Sequence, residues 1–276
     1  MTEKKTIYNT AWRKMSTALY AVPKDSRVYG TMDIDITKAE QFIKESRANG
    51  KKITITHLAT SAIGRILGHN IPELNCYIKR GKFIPRDDVI VCVSVNMNKG
   101  QDMTSVRVSE AHMKTVFQIG KEIREKAAQS RQGTEEKALQ NKYTLSKIPW
   151  PFRRWVFVII RFIHHGLGFE LPSMGLKHDS FGSILLSNIG SHGLSTGMAA
   201  LLPAANVPAV IIMGKAEEKP VVRDGKIVIR TMMSFTATMD HRSMDGFHGG
   251  LMAYHMKKYL ENPEILGELP VDDIIC

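Results

Sequence analysis

Disulfide chemistry has little to work with in this chain. Its 276 residues include three cysteines, Cys76, Cys92 and Cys276, in no metal-type or redox-type spacing. An odd, sparse set excludes a disulfide framework and points to a reducing compartment, here the cytoplasm. Long apolar runs are missing too. The longest, Trp155 to Ile163, is interrupted by Arg161 and is about half the length a bilayer crossing needs, so no transmembrane helix is expected. The start, Met1-Thr2-Glu3-Lys4-Lys5, is polar with no apolar core behind it, which argues against secretion. There is no internal repeat and no low-complexity tract.

Acidic residues are in deficit: 27 Asp and Glu stand against 38 Lys and Arg, a formal net charge of +11. Such an excess suits nucleic acid, an anionic membrane surface or a polyanionic small molecule. The basic residues are scattered, with local pairs at Lys51-Lys52, Arg153-Arg154 and Lys257-Lys258, and no base-reading motif accompanies them. Nucleic acid is therefore not expected as a partner.

The length suffices for a full core, and the composition is that of an ordinary soluble domain. A short helix is expected near Thr10 to Leu19 and a strand over Arg27 to Ile36. Thr37-Lys38-Ala39-Glu40 has the spacing of a capping box at a helix start. Ile55, Leu58, Ala59, Ala62, Ile63, Ile66 and Leu67 make an apolar helical stripe that Pro72 ends. Cys76 to Ile78 and Lys82 to Ile84 flank Arg80-Gly81 as a hairpin. Val89 to Val95 is apolar on both faces, as an interior strand is. A helix follows from about His112 to Ser130. Further strands are expected at Ser183 to Leu186, Ala209 to Met213 and Ile227 to Thr238, with a turn at Asp224-Gly225, and Phe247 to Leu260 reads as the closing helix. The alternation predicts an α/β two-layer sandwich, a mixed β-sheet with helices on one face. Residues 1–276 read as one domain carrying an amphipathic insertion at about 131–178.

Met239-Asp240-His241-Arg242-Ser243-Met244-Asp245-Gly246 lies where the last strand gives way to the last helix. Histidine can take and return a proton near neutral pH, so one at a strand end is a general-base candidate. The residues alone leave other roles open. His241 also suits a structural role, Ser187 a turn cap shared with Asn188, and Asp245 an N-cap. His248, Gly249 and Gly250 read as a close helix-packing face. The loop Asn188 to Leu194 fits no established phosphate cradle.

The order strand, Asp-His-Arg-x-x-Asp-Gly, helix resembles the catalytic core of the dihydrolipoyl acyltransferase component of 2-oxo acid dehydrogenase complexes. It is similar, more distantly, to chloramphenicol acetyltransferase. Asp33-Ile34-Asp35, Pro72-Glu73-Leu74-Asn75 and Ser187-Asn188-Ile189-Gly190 match in the same order. The likeness runs over about residues 10 to 265 apart from the insertion.

That resemblance implies a coenzyme A-dependent acyltransferase fold, with acyl groups passing between coenzyme A and a dihydrolipoamide-like thiol or another acceptor. It implies His241 as the general base and Ser187 as the hydroxyl that stabilises the oxyanion. Asp245 becomes an organiser paired with a cation near the N-terminus, Arg13 or Lys14. Acyl-coenzyme A is the implied substrate and no metal is involved. A homotrimer, or a larger assembly of trimers, follows from relatives whose site lies between subunits.

Two departures stand out. No lipoyl or subunit-binding domain precedes the core in this sequence, so a lipoyl domain comes from another chain or lipoate is not the acceptor. The stretch Asn98 to Val106 differs from the family where relatives shape the substrate channel. The insertion interleaves Trp150, Phe152, Trp155 and Phe162 with Arg153, Arg154, Arg161, His164 and His165. Peripheral membrane or lipid contact through Trp150 to His165 is thus one alternative to catalysis, and a non-catalytic trimeric assembly core is another.

Overall fold

The structure, a computed structural model, describes residues 26–97, 102–131, 149, 152–170, 181–201 and 205–270. The expected helix at Thr10 to Leu19, Arg13, Lys14 and Cys276 lie outside these residues, as do parts of the Asn98 to Val106 stretch and of the insertion.

In chain order the strands are β1 (Arg27–Asp35), β2 (Cys76–Lys79), β3 (Lys82–Pro85), β4 (Val91–Met97), β5 (Asp102–Val108), β6 (Ile184–Asn188), β7 (Ala209–Arg223) and β8 (Lys226–Asp240). The helices are α1 (Thr37–Ala48), α2 (Ile55–Arg65), α3 (Val116–Arg131), α4 (Phe152–Arg161) and α5 (Gly246–Glu261). Six strands form one mixed sheet in the order β1-β8-β7-β6-β4-β5, and β2 and β3 form a separate hairpin. β6 runs parallel to β4 and β7, and the remaining pairs of the sheet are antiparallel. The two-layer prediction is what the chain builds.

Period two along the strands divides the core. Ile184, Leu186, Ile211, Met213, Phe235 and Met239 face the helix layer and join the main core with Leu58, Ile63, Ile119 and Met256. Leu185, Val210 and Ile212 face the other way, into a smaller cluster with Leu201, Ala205 and Val207. The helix-side stripe of α2 is buried as its spacing predicts, though the α-helix gives way at Ile66–Asn70 to a π-helical turn.

Several boundaries moved for identifiable reasons. Thr37 is the first residue of α1, not its cap. Its hydroxyl donates to Asp35 Oδ1 at 2.6 Å and its amide reaches the same oxygen at 3.1 Å, so Asp35 satisfies this terminus and the Thr37–Glu40 box does not form. A reciprocal cap does form at Thr115 and Gln118: the Thr115 amide donates to Gln118 Oε1 at 2.8 Å and the Gln118 amide to Thr115 Oγ1 at 3.3 Å. That cap starts α3 at Val116, later than His112. β7 runs on past the expected Met213 to Arg223 and forms a long hairpin with β8, which keeps close to its expected span from Ile227 to Thr238; the turn at Asp224 and Gly225 takes positive φ.

Candidate active site

β8 ends at Asp240, and the next five residues are tied down from three directions. The His241 amide donates to Ser26 O at 2.7 Å, which carries the β1–β8 pairing one step further. The buried Asp240 carboxylate accepts a fork from Arg242, with Nε 2.9 and 3.0 Å from its two oxygens and Nη2 2.5 Å from Oδ2. Bidentate guanidinium–carboxylate pairs fix direction as well as distance. The Ser243 and Met244 amides close the turn on Asp240 O at 2.9 and 3.0 Å, and Met244 is buried in the main core. His241, half-buried with its Nδ1 inside, therefore sits on a rigid turn at the end of the sheet.

Asp245 has extended backbone and caps α5, its Oδ1 accepting the His248 amide at 3.2 Å. The His248 ring adds a second contact: Nδ1 lies 2.6 Å from Asp245 Oδ1 and 3.4 Å from the Asp245 amide. One nitrogen cannot donate to the first and accept from the second. The shorter contact decides, and Nδ1–H donates to the carboxylate. Burial alone would raise the Asp245 carboxyl, but the His248 amide, together with that ring's charge and hydrogen bond, holds it below the ordinary value. On its far side the His248 Nε2 lies 3.7 Å from Glu73 Oε1.

His248 is thus not a helix-packing residue as expected, but an imidazole set between two carboxylates. Gly250 does not serve close packing either, since a Cβ there would meet nothing within 4 Å. Sequence reasoning missed the Glu73–His248–Asp245 array. Its only signal was the three-residue spacing of Asp245 and His248, the spacing of a cap.

Ser187 lies within β6, not after it. Asn188 faces the helix layer, where its side-chain amide donates to Thr56 Oγ1 at 3.1 Å. Ser187 consequently faces the opposite side, in register with Ile212. Asn188, not Ser187, caps the following turn, accepting the Ser191 amide at 3.3 Å. Among the described residues the half-buried Ser187 hydroxyl has no hydrogen-bond partner. The loop behind it is pinned to β7 by Ile189 N–H to Met213 O and Lys215 N–H to Leu194 O, both 2.9 Å. Gly214 permits this crossing, because a Cβ there would sit 1.9 Å from Ser195 O.

The structure does not bring Ser187 and His241 together within one chain. Ser187 pairs with Ile212, and Ile212 with Thr236, two strands over and five residues before His241. At about 3.3 Å per residue and about 4.8 Å per strand, the two positions are roughly 20 Å apart. Nearer to His241 is a shallow cleft of about 270 Å³ on the face away from the helices, lined by Arg27, Tyr29, Met198, Ala199 and Ala200. Arg27 is the register partner of Asp240. Among the described residues no group of His, Cys, Asp and Glu could hold a metal ion.

A six-stranded mixed sheet with one helix layer and a histidine turn at the end of its penultimate position in strand order defines the class of two-layer acyltransferase folds. The chain belongs to the family of 2-oxoacid dehydrogenases acyltransferase catalytic domains, whose model matches residues 2–145 and 176–267. The chain is 25% identical over 231 residues to the dihydrolipoyllysine-residue acetyltransferase component of the pyruvate dehydrogenase complex of Staphylococcus epidermidis. That match covers 82% of this chain but 43% of the relative. The solved structure of Azotobacter vinelandii dihydrolipoamide acetyltransferase superposes with a TM-score of 0.63 at 18% identity, covering 92% of this chain and 87% of that one. A chloramphenicol acetyltransferase superposes at 0.55 and 16% identity, covering 90% and 94%.

Proposed function

We propose that this chain is a coenzyme A-dependent acyltransferase that works as a homotrimer or an assembly of trimers, with each active site shared by two copies. The observation that carries the reading is His241, held on a braced turn at a strand end within the family motif. The Azotobacter vinelandii enzyme has been studied for the role of a serine, a histidine and an asparagine in its catalytic mechanism. Ser187, His241 and Asp245 offer the corresponding kinds of side chain, with a carboxylate in place of the amide.

In this mechanism neutral His241 accepts the proton of a thiol, and the thiolate attacks the carbonyl carbon of an acyl thioester. The buried Nδ1 leaves Nε2 as the proton acceptor. A tetrahedral oxyanion forms and takes a hydrogen bond from Ser187 of a neighbouring copy, whose hydroxyl has no partner among the described residues of its own chain. Collapse expels the second thiolate, which recovers the proton from the imidazolium. One thiol is coenzyme A; the other is a dihydrolipoamide-like group, which a lipoyl domain on another chain could carry, or another acceptor. Arg27 gives the adjacent cleft a cationic wall suited to an anionic carrier, while Tyr29 and the Met198–Ala200 segment supply apolar surface.

Asp245 acts as organiser. It holds the start of α5 and stays ionised against His248 and any cation from the N-terminal segment. The test is a panel of short, branched and long acyl-coenzyme A thioesters with dihydrolipoamide and other thiols as acceptors, following thiol exchange. Turnover is expected on at least one pair and should fall by about a hundredfold or more in His241→Ala. Full turnover in that variant would remove His241 from the chemistry.

A further inference from the structure

The segment that the family model passes over, residues 146–175, contains α4 and the π-helical turn Phe162–Gly166. The apolar side of this helix faces water. Phe152, Trp155, Ile159 and Phe162 are 65, 63, 55 and 62% exposed, and their spacing puts them on one stripe. Large side chains aligned in this way are an interaction surface, not scattered surface apolars. Among the described residues the main neighbour of α4 is the turn that follows it.

In the sequence on either side of this helix, charge has one sign. Between Glu136 and Glu170 there is no acidic residue, while Lys137, Lys142, Lys147, Arg153, Arg154 and Arg161 occur there. The chain following the turn is seated on the tip of the β2–β3 hairpin. Arg80 Nε donates to Leu167 O at 2.7 Å, and Gly168, with φ +73, lies so close to Lys79 that a Cβ would come within 2.6 Å of its Cε. The hairpin tip contributes Arg80 and Lys82, both exposed. An apolar aromatic stripe and a cationic tip are therefore held next to each other.

We propose that α4, seated on the β2–β3 tip, is an interfacial helix that docks this protein on an anionic phospholipid bilayer. The stripe enters the boundary between headgroups and acyl chains while the cations meet lipid phosphates. Ten residues of helix extend about 15 Å, which suits lying in the interface and not crossing it. Among the described residues no helix is long and apolar enough to cross.

Flotation of the purified full chain tests this, using vesicles of phosphatidylcholine alone and of phosphatidylcholine with phosphatidylglycerol. The chain should float with the anionic vesicles, less so as salt is raised. Trp155→Glu combined with Ile159→Glu should weaken partitioning about tenfold or more, and Lys82→Glu should weaken it less. These side chains are exposed, so unchanged circular dichroism is expected in each variant. No flotation with anionic vesicles, equal flotation with neutral ones, or an unaffected double variant would each overturn the proposal. So would sedimentation showing that the double variant splits an assembly, since the stripe would then be a contact between copies. The proposal does not depend on acyl transfer: thiol exchange measured without vesicles should be the same in all variants.

Discussion

At the scale of single residues, His57 shows most directly what burial does to an ionisable group. It lies in the first turn of α2, buried, and its Nδ1 has no hydrogen-bond partner among the described residues. Burial first, then the charges of Arg124 and Arg47, lower its pKa to about 4. A charged imidazole there would also face the positive end of α2. Between pH about 4 and 6.5 the unfolded chain binds a proton that the folded chain refuses, so stability rises with pH across that window. The stabilisation is complete above the unfolded value and falls by about 3 kcal/mol as the pH drops to about 4. Urea midpoints measured from pH 7 to 4 should show this slope, and His57→Leu should flatten it; an unchanged slope in that variant would place the titration elsewhere. Ser187 is the opposite case, a half-buried hydroxyl without a hydrogen-bond partner among the described residues. As an oxyanion donor its loss in Ser187→Ala should cost about a hundredfold in kcat with little change in KM. A loss of only a few-fold would return Ser187 to a packing role.

At the scale of elements, periodicity predicted α2 and the interior strands well because burial and spacing agree there. β5 was missed. It is an edge strand whose sequence, Asp102 to Val108, carries few β-branched apolar residues, and pairing with β4 makes it a strand. The caps were legible as patterns but not in their use, since Thr37–Glu40 and Thr115–Gln118 look alike in sequence. Only the position of Asp35 beside Thr37 distinguishes them. Helix contacts were equally hidden. Gly64 in α2 meets the backbone of Ala111, where a Cβ would come within 2.7 Å of Ala111 C and O. Alanine there would gain about 1 kcal/mol of helix propensity. The clash with backbone should outweigh it, leaving Gly64→Ala destabilised by about 1–2 kcal/mol in chemical denaturation. A stabilised variant would show that this contact relaxes freely.

At the scale of the whole molecule, the separation of Ser187 and His241 within one chain makes assembly part of the proposed chemistry. Coassembled His241→Ala and Ser187→Ala chains should regain about a quarter of wild-type turnover, because random mixing in a ring of three rebuilds that share of interfaces. Neither variant alone should do so, and a mixture no more active than its parts would argue for a site within one copy. The sequence by itself determined the class of fold, the strand–turn–helix setting of His241 and the N-cap role open to Asp245, because hydrophobic period and cap chemistry are local. Only the tertiary structure decided that His248 stands between Glu73 and Asp245, that Asn188 takes the turn which Ser187 could have capped, and that Ser187 faces away from the helices, roughly 20 Å from His241. These depend on strand order and register, which bring together residues far apart in the chain, and no local pattern encodes them.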